Sequence, residues 1–358
     1  MNFSNPECLK KGKDTFYRLQ NNDGKVWFLP SKNLKTALQI YQPSGKTGKI
    51  LKNFLPWLHK IRLVRNKLNI SQENLELNKE LLDITKKVFK TDKVHYSLFC
   101  GTPSVHQKIT IQFFMDNNIL GYCKISENPD VKSLFLHENK ILDTLKDLNV
   151  SGIPLCLYCR EKNNQGIFIQ STKKTSHSYS PSYWTPLHSQ FIEELRVKTI
   201  KPVLFEESDL YSSLKSLKSN INLLPPQFAD IISSHLDKVI TEHIGKTMEY
   251  SAFHADFTPW NMFIDKGQIF VFDWEYAQLT YPPLLDKYHF HIQQMIHVKH
   301  WEPEKIMEEL KKEEWVNIEQ LRLYLLDIIS RFVGRGKGSI DDSLRNSLQI
   351  WTSLLSRL

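Results

Sequence analysis

Apolar residues recur along the chain with two different periods. Between about residues 92 and 172 they crowd into short runs rich in β-branched and aromatic side chains: "KVHYSLFCGT", "QKITIQFFMD", "ILGYCKIS", "LCLYCREK" and "GIFIQST". Such runs, bounded by turn residues, predict strands. Between the third and fourth lies "VKSLFLHENKILDTLKDL", whose apolar positions return every three or four residues and predict a helix. From about 182 onward the pattern is mostly helical, apart from residues 254–276. Ahead of the strands, "DTFYRLQNNDGKVWFLP" (14–30) reads as a hairpin turning at Asn22-Asp23-Gly24. Helical stretches follow to about residue 90, with "SQENLELNKELLDITKKVF" the clearest. The pattern predicts an α+β protein in three parts: an extension over 1–90, a β-rich lobe over 91–172 and a helical lobe over 173–358.

Composition narrows the setting. The chain has 358 residues, 41% hydrophobic and 24% charged, in the range of globular proteins. No apolar run is long enough to span a bilayer, and the N-terminal segment lacks the apolar core of a secretion signal, so a cytoplasmic protein is the expectation. Five Cys give no disulfide framework. Cys156 and Cys159 in "CLYC" have no second pair to complete a zinc site, and three residues apart on a strand they are expected to face opposite ways as two buried thiols. "YQPSGKTGK" mimics the end of a phosphate loop, but the position that needs the first Gly is Ile40.

Charge changes the picture in one place. Lys and Arg exceed Asp and Glu by 47 − 39 = +8, and "KTGKILKNFLPWLHKIRLVRNKL" (46–68) concentrates the excess. This stretch reads as basic, amphipathic and mainly helical, with Pro56 starting or kinking a helix. A solvated basic face packed through its Leu, Ile and Trp side is the expectation. Peripheral contact with a membrane surface or with nucleic acid stays open, although a nucleic-acid partner is not expected.

The candidate chemistry lies in "HADFTPWNMFIDKGQIFVFDWEY" (254–276). His254, Asp256 and Asn261 form HxDxxxxN; a hairpin at Asp265-Lys266-Gly267 follows, and a buried-looking strand ends near Asp273. Carboxylates in so apolar a setting need a partner, a metal or a chemical role. The arrangement suits phosphoryl transfer. One carboxylate orients a hydroxyl and takes its proton, while an amide oxygen and a second carboxylate offer hard ligands to Mg²⁺.

These residues resemble the aminoglycoside phosphotransferase and choline kinase family, which has the protein-kinase-like fold. His254, Asp256 and Asn261 match its catalytic loop, Asp273-Trp274-Glu275 its metal-binding triplet, and Pro282, Pro283 and Asp286 in "YPPLLDKYHF" the residues that tend to follow. The resemblance covers about 92–290. It implies two lobes: an antiparallel five-stranded N-terminal sheet and a mainly helical C-terminal lobe, with residues 1–90 as an additional extension. It implies that Lys124 in the third strand contacts nucleotide phosphates, held by Glu138 in the following helix, with Glu127 as the competing acid. Ile169, Gln170 and Ser171 would form the hinge for an adenine-like base. The loop "CGTPSVHQK" departs from the Gly-rich form, leaving Gly101 and the Ser104 hydroxyl to meet phosphate.

Together these imply a small-molecule kinase. It would move the terminal phosphoryl group of ATP or another NTP to a hydroxyl acceptor with Mg²⁺. Asp256 would act as base, Asn261 and Asp273 as metal ligands, and His254 as a brace for the loop. A sugar, an amino alcohol or a glycan precursor fits as acceptor. An aminoglycoside is disfavoured, because a polycation calls for an acidic site and the chain is net +8. The rivals are a catalytically silent kinase-like binding protein and a nucleic-acid- or membrane-associated scaffold using 46–68. In the run "KYHFHIQQMIHVKH", His289, His291, His297 and His300 are expected to have packing or surface roles, because their spacing does not converge on a metal.

Overall fold

The computed structural model describes residues 8–43, 46–101, 107–336 and 339–358. The chain divides into two units. One comprises Met1–Asp143, Ile153–Ser180 and Phe263–Phe270; the other comprises Thr144–Gly152, Pro181–Met262 and Val271–Leu358.

The first unit is built on an antiparallel sheet. Its strands are β1 (Leu9–Gln20), β2 (Val26–Pro30), β3 (Ser71–Leu77), β4 (His95–Cys100), β5 (Ile109–Met115), β6 (Asn118–Ser126), β7 (Cys156–Lys162) and β8 (Gln165–Ser171). They lie in the order β3-β1-β2-β4-β5-β6-β8-β7. All five strands expected over 92–172 are present, but the sheet has eight strands rather than five. The three additional strands come from the N-terminal region. The hairpin turning at Gly24, with φ 76°, is no separate appendage: β2 pairs with β4 from Val26↔Cys100 to Phe28↔Leu98. Pairing in this way removes what would otherwise be an exposed edge at β4.

The helix expected from residue 71 begins later. Ser71–Leu77 is β3, paired with β1, with Leu75 and Leu77 buried in strand alternation. Helix Lys79–Phe89 starts only where the Asn78 side chain accepts the Glu80 N–H as an N-cap. That helix covers one face of the sheet, placing Leu81 against the core that holds Cys123, Ile111, Leu98 and Phe28. On the opposite face Tyr17, Trp27, Leu29 and Phe114 pack with Leu34, Leu38, Ile40 and Leu55 from the N-terminal region.

Two sequence expectations change here. Residues 46–68 form the helices Lys46–Leu58, with Pro56 in its last turn, and Arg62–Lys67. Leu55 and His59 are buried, but Trp57 and Leu63 are each 80% exposed, so the apolar side is only partly packed. Cys156 and Cys159 do not face opposite ways. A register shift between Cys156 and Tyr158 pairs the two Cys with Gln170 and Phe168, two residues apart on β8, and so on one face. Both thiols are free and half-buried, and Cys159 donates to the Phe135 carbonyl at 3.5 Å.

The second unit is mainly helical, as the pattern after 182 requires. Its helices Asp209–Ser219, Pro226–His243, Leu285–His297, Pro303–Lys311, Ile318–Gly336 and Asp342–Leu355 bury one apolar core around Tyr324, Leu325, Ile329 and Trp351. Strand Thr247–Phe253, flanked by Lys201–Leu204 and Gln278–Tyr281, leads directly into the 254–276 stretch. Among the described residues, no helix is long and apolar enough to cross a membrane.

Candidate active site

In the second unit the chain leaves strand Thr247–Phe253 at His254 and turns sharply. Ala255 has φ 67°, a left-handed conformation that a non-glycine residue adopts only when its surroundings hold it there. The buried Asp286 carboxylate supplies the hold, accepting the His254 N–H at 2.8 Å and the Ala255 N–H at 3.1 Å. Burial pushes the Asp286 carboxyl up to about 7, opposed by those two N–H groups and by Arg331. Arg331 closes the turn from helix Ile318–Gly336, donating to the Ala255 carbonyl at 2.6 Å and to Asp327 at 2.8 Å.

His254 is fully buried. Its Nε2–H donates to the Phe272 carbonyl at 3.1 Å, and Nδ1 accepts the Asp256 N–H at 3.2 Å. Burial drops its pKa to about 4, so the ring is neutral at pH 7, the state this donor–acceptor pattern requires. His254 thereby ties the Asp256 loop to the chain segment carrying Asp273.

The Asp256 side chain is 32% exposed and has a partner on each oxygen. Oδ2 accepts the Asn261 amide N–H at 2.7 Å, and Oδ1 faces His289 Nε2 at 3.2 Å. Burial alone would raise this carboxyl, but the hydrogen bond from His289 holds it below its ordinary value. It is ionised at pH 7. The Asn261 amide nitrogen is also spent on the Asp256 carbonyl at 3.0 Å, which leaves its oxygen as the atom available to a further ligand. The Asn261 carbonyl accepts the Phe272 N–H at 3.0 Å, so the chain returns beside Asn261 one residue before Asp273. Asp273 has φ 70°, a second non-glycine residue in the left-handed region. Trp274 is fully buried, its ring edge-on to His254 at 4.5 Å and its indole N–H on the Val271 carbonyl.

Sequence reasoning missed His289. It lies on helix Leu285–His297, 33 residues beyond Asp256, and is more than a packing residue. Burial lowers its pKa, so it is neutral. Nε2–H then donates to Asp256, and Nδ1 accepts from the Tyr324 hydroxyl at 3.3 Å, which in turn accepts from Gln293 at 3.3 Å. The one available signal was that a residue three after Asp286 in a helix falls on the same face.

In the first unit, Lys124 on β6 and Glu138 on helix Pro129–Asp147 form an ion pair at 2.6 Å, with side chains 6% and 0% exposed. The competing acid, Glu127, is exposed and accepts instead from Gln165 at 2.9 Å. Lys124 also sits 5.5 Å from the Phe168 ring centroid. At the start of the loop, the Gly101 carbonyl accepts from the Gln107 side chain at 2.7 Å; Ser104 lies outside the described residues. At the end of β8, Gln170 is buried, and its side-chain oxygen has no hydrogen-bond partner among the described residues. The Ser171 N–H and hydroxyl are both bonded to the backbone of Leu155.

The Asn261 amide oxygen and the Asp273 carboxylate are hard oxygen donors of the type Mg²⁺ accepts.

These features define a protein-kinase-like fold, and comparison with solved structures agrees. The chain resembles the aminoglycoside phosphotransferase APH(4)-Ia in its complex with ADP and hygromycin B, with TM-score 0.55 and 11% identity over 78% of this chain and 98% of that one. The complex of the same enzyme with AMP-PNP and hygromycin B aligns with TM-score 0.53 and 11% identity over the same shares. At this identity the likeness establishes the fold. No family model and no curated protein matches the sequence.

Proposed function

We propose that the protein is a small-molecule kinase that transfers the terminal phosphoryl group of ATP, or another NTP, to a hydroxyl acceptor. The observation that carries this reading is the state of Asp256: an ionised carboxylate, partly exposed, aimed by His289 and Asn261. Asp256 orients the acceptor hydroxyl and takes its proton. The hydroxyl oxygen forms a bond to the terminal phosphorus as the bond to the bridging oxygen breaks, and a nucleoside diphosphate leaves. Asn261 and Asp273 would hold Mg²⁺, which would supply neutralisation of phosphate charge. Lys124 contacts the nucleotide phosphates and Glu138 positions it. Gly101 and Ser104 are proposed to meet those phosphates, and Gln170 and Ser171 the base. Positioning and charge neutralisation supply most of the rate. Support comes from the shared fold and from the ADP and AMP-PNP bound to its structural neighbour.

A neutral or anionic acceptor such as a sugar or glycan precursor is favoured over a polycationic aminoglycoside, because a polycation calls for an acidic protein and this chain is net +8.

The test separates chemistry from binding. Asp256→Asn is expected to abolish transfer while MgATP binding, measured by calorimetry, stays within about threefold of wild type. Asp273→Ala is expected to weaken MgATP binding as well as turnover. Wild-type turnover in the Asp256 variant would remove the proposed base. A wild type that binds MgATP but turns over no acceptor would favour the silent kinase-like protein.

A further inference from the structure

Helix Lys46–Leu58 is anchored to the first unit by one side and bare on the other. Leu55 and His59 point inward, 1% and 8% exposed, and the Arg65 guanidinium ties the second helix back by donating to the His59 carbonyl at 2.6 Å. Ile50, Phe54 and Trp57 stand at helical spacing on the outward face and are 58%, 56% and 80% exposed; Ile61 and Leu63 just beyond are 46% and 80% exposed. Large apolar side chains scattered singly on a surface are ordinary; a run of this kind on one helical segment marks a contact surface. Its charge is equally one-sided. Residues 46–68 contain Lys or Arg at seven positions and no Asp or Glu, a local +7 in a chain whose net charge is +8. Lys49, Lys60, Arg62 and Lys67 are exposed beside the apolar residues.

We propose that this pair of successive helices docks the protein on a membrane surface rich in anionic phospholipid. Trp57, Phe54 and Leu63 enter the headgroup–acyl boundary and the flanking Lys and Arg meet lipid phosphates. The partner follows from charge complementarity combined with the apolar centre of the patch. A basic face alone would suit any polyanion, but burying exposed Trp, Phe and Leu side chains needs an apolar phase, which a nucleic acid does not offer on its backbone. Docking requires no property of the phosphotransferase site.

The test is co-sedimentation of the full chain with vesicles. One set is phosphatidylcholine alone, the other phosphatidylcholine with about one-third phosphatidylserine. The protein is expected to pellet with the anionic vesicles, to remain in solution with the neutral ones, and to be largely released by molar salt. Trp57→Ser combined with Leu63→Ser is expected to lower partitioning about tenfold or more, with the thermal midpoint unchanged because both residues are exposed. Lys60→Ser combined with Arg62→Ser, also exposed, is expected to lower it by at least about tenfold. Equal pelleting with both vesicle types, no pelleting, or partitioning unaltered by the Trp57 and Leu63 replacements would overturn the proposal. So would binding of a single-stranded oligonucleotide by a protein that ignores the anionic vesicles.

Discussion

Burial works against the Asp256 carboxylate, and two neighbours reverse the balance. His289 donates to one oxygen and Asn261 to the other, so the group is both ionised and aimed. His289→Phe removes one of those donors while filling the same space. We expect turnover to fall about tenfold to a hundredfold with folding intact, and His289→Gln, which keeps an N–H, to restore part of the loss. Steady-state kinetics beside a melting curve decide between a positioning role and a purely structural one, since the latter would shift the midpoint and leave kcat alone. Lys124 and Glu138 pose the complementary case of a buried ion pair. Glu138→Ala leaves a buried ammonium without its carboxylate and is expected to cost about 3–5 kcal/mol in denaturant unfolding, whereas Lys124→Met with Glu138→Leu should cost clearly less. Equal costs would contradict the burial argument. His254, Asp256, Asn261 and Asp273 were legible because the loop and its hairpin place them at fixed local spacing. His289 was not, because its partner is 33 residues distant and nothing local in a His-rich helix singles it out.

At the scale of elements, helices Pro186–Thr199 and Leu285–His297 meet through aromatic stacking. Trp184 lies 5.1 Å from His188 and 5.5 Å from His291 between ring centroids. Burial lowers both imidazoles to about 4, below their ordinary value of 6.5. Their folded forms are therefore neutral, and the stability they contribute is present above about pH 6.5 and lost as pH falls toward 4. The thermal midpoint is expected to drop across that window, and His291→Phe to flatten part of the drop; a midpoint indifferent to pH there would contradict it. The N-terminal strands carry a different expectation. Deleting residues 1–90 would strip β1, β2 and β3, leave β4 as a bare edge and expose apolar residues on both sheet faces, so the remainder should aggregate rather than stay monodisperse in size-exclusion chromatography. The five strands over 92–172 were readable from their apolar runs. β3 was not: Ser71–Leu77 runs straight into a true helix, and only the Asn78 cap divides a strand period from a helical one. The bulge at Cys156 was equally hidden, since an inserted residue leaves no mark in the pattern until the partner strand is known.

For the whole molecule, charge and chemistry are separated. The excess of positive charge belongs to residues 46–68, apart in sequence from Lys124, Glu138, Asp256, Asn261 and Asp273, the residues proposed for phosphotransferase chemistry. The most direct test of the central claim is transfer from γ-labelled ATP, with Mg²⁺, to a panel of hydroxyl compounds. The panel should span neutral sugars, anionic sugar derivatives, amino alcohols and aminoglycosides, with wild type and Asp256→Asn run side by side. The account predicts Mg²⁺-dependent label in at least one neutral or anionic acceptor with the wild type, and none above background with Asp256→Asn. Label transferred equally by both proteins, or by neither while MgATP is bound, would contradict it.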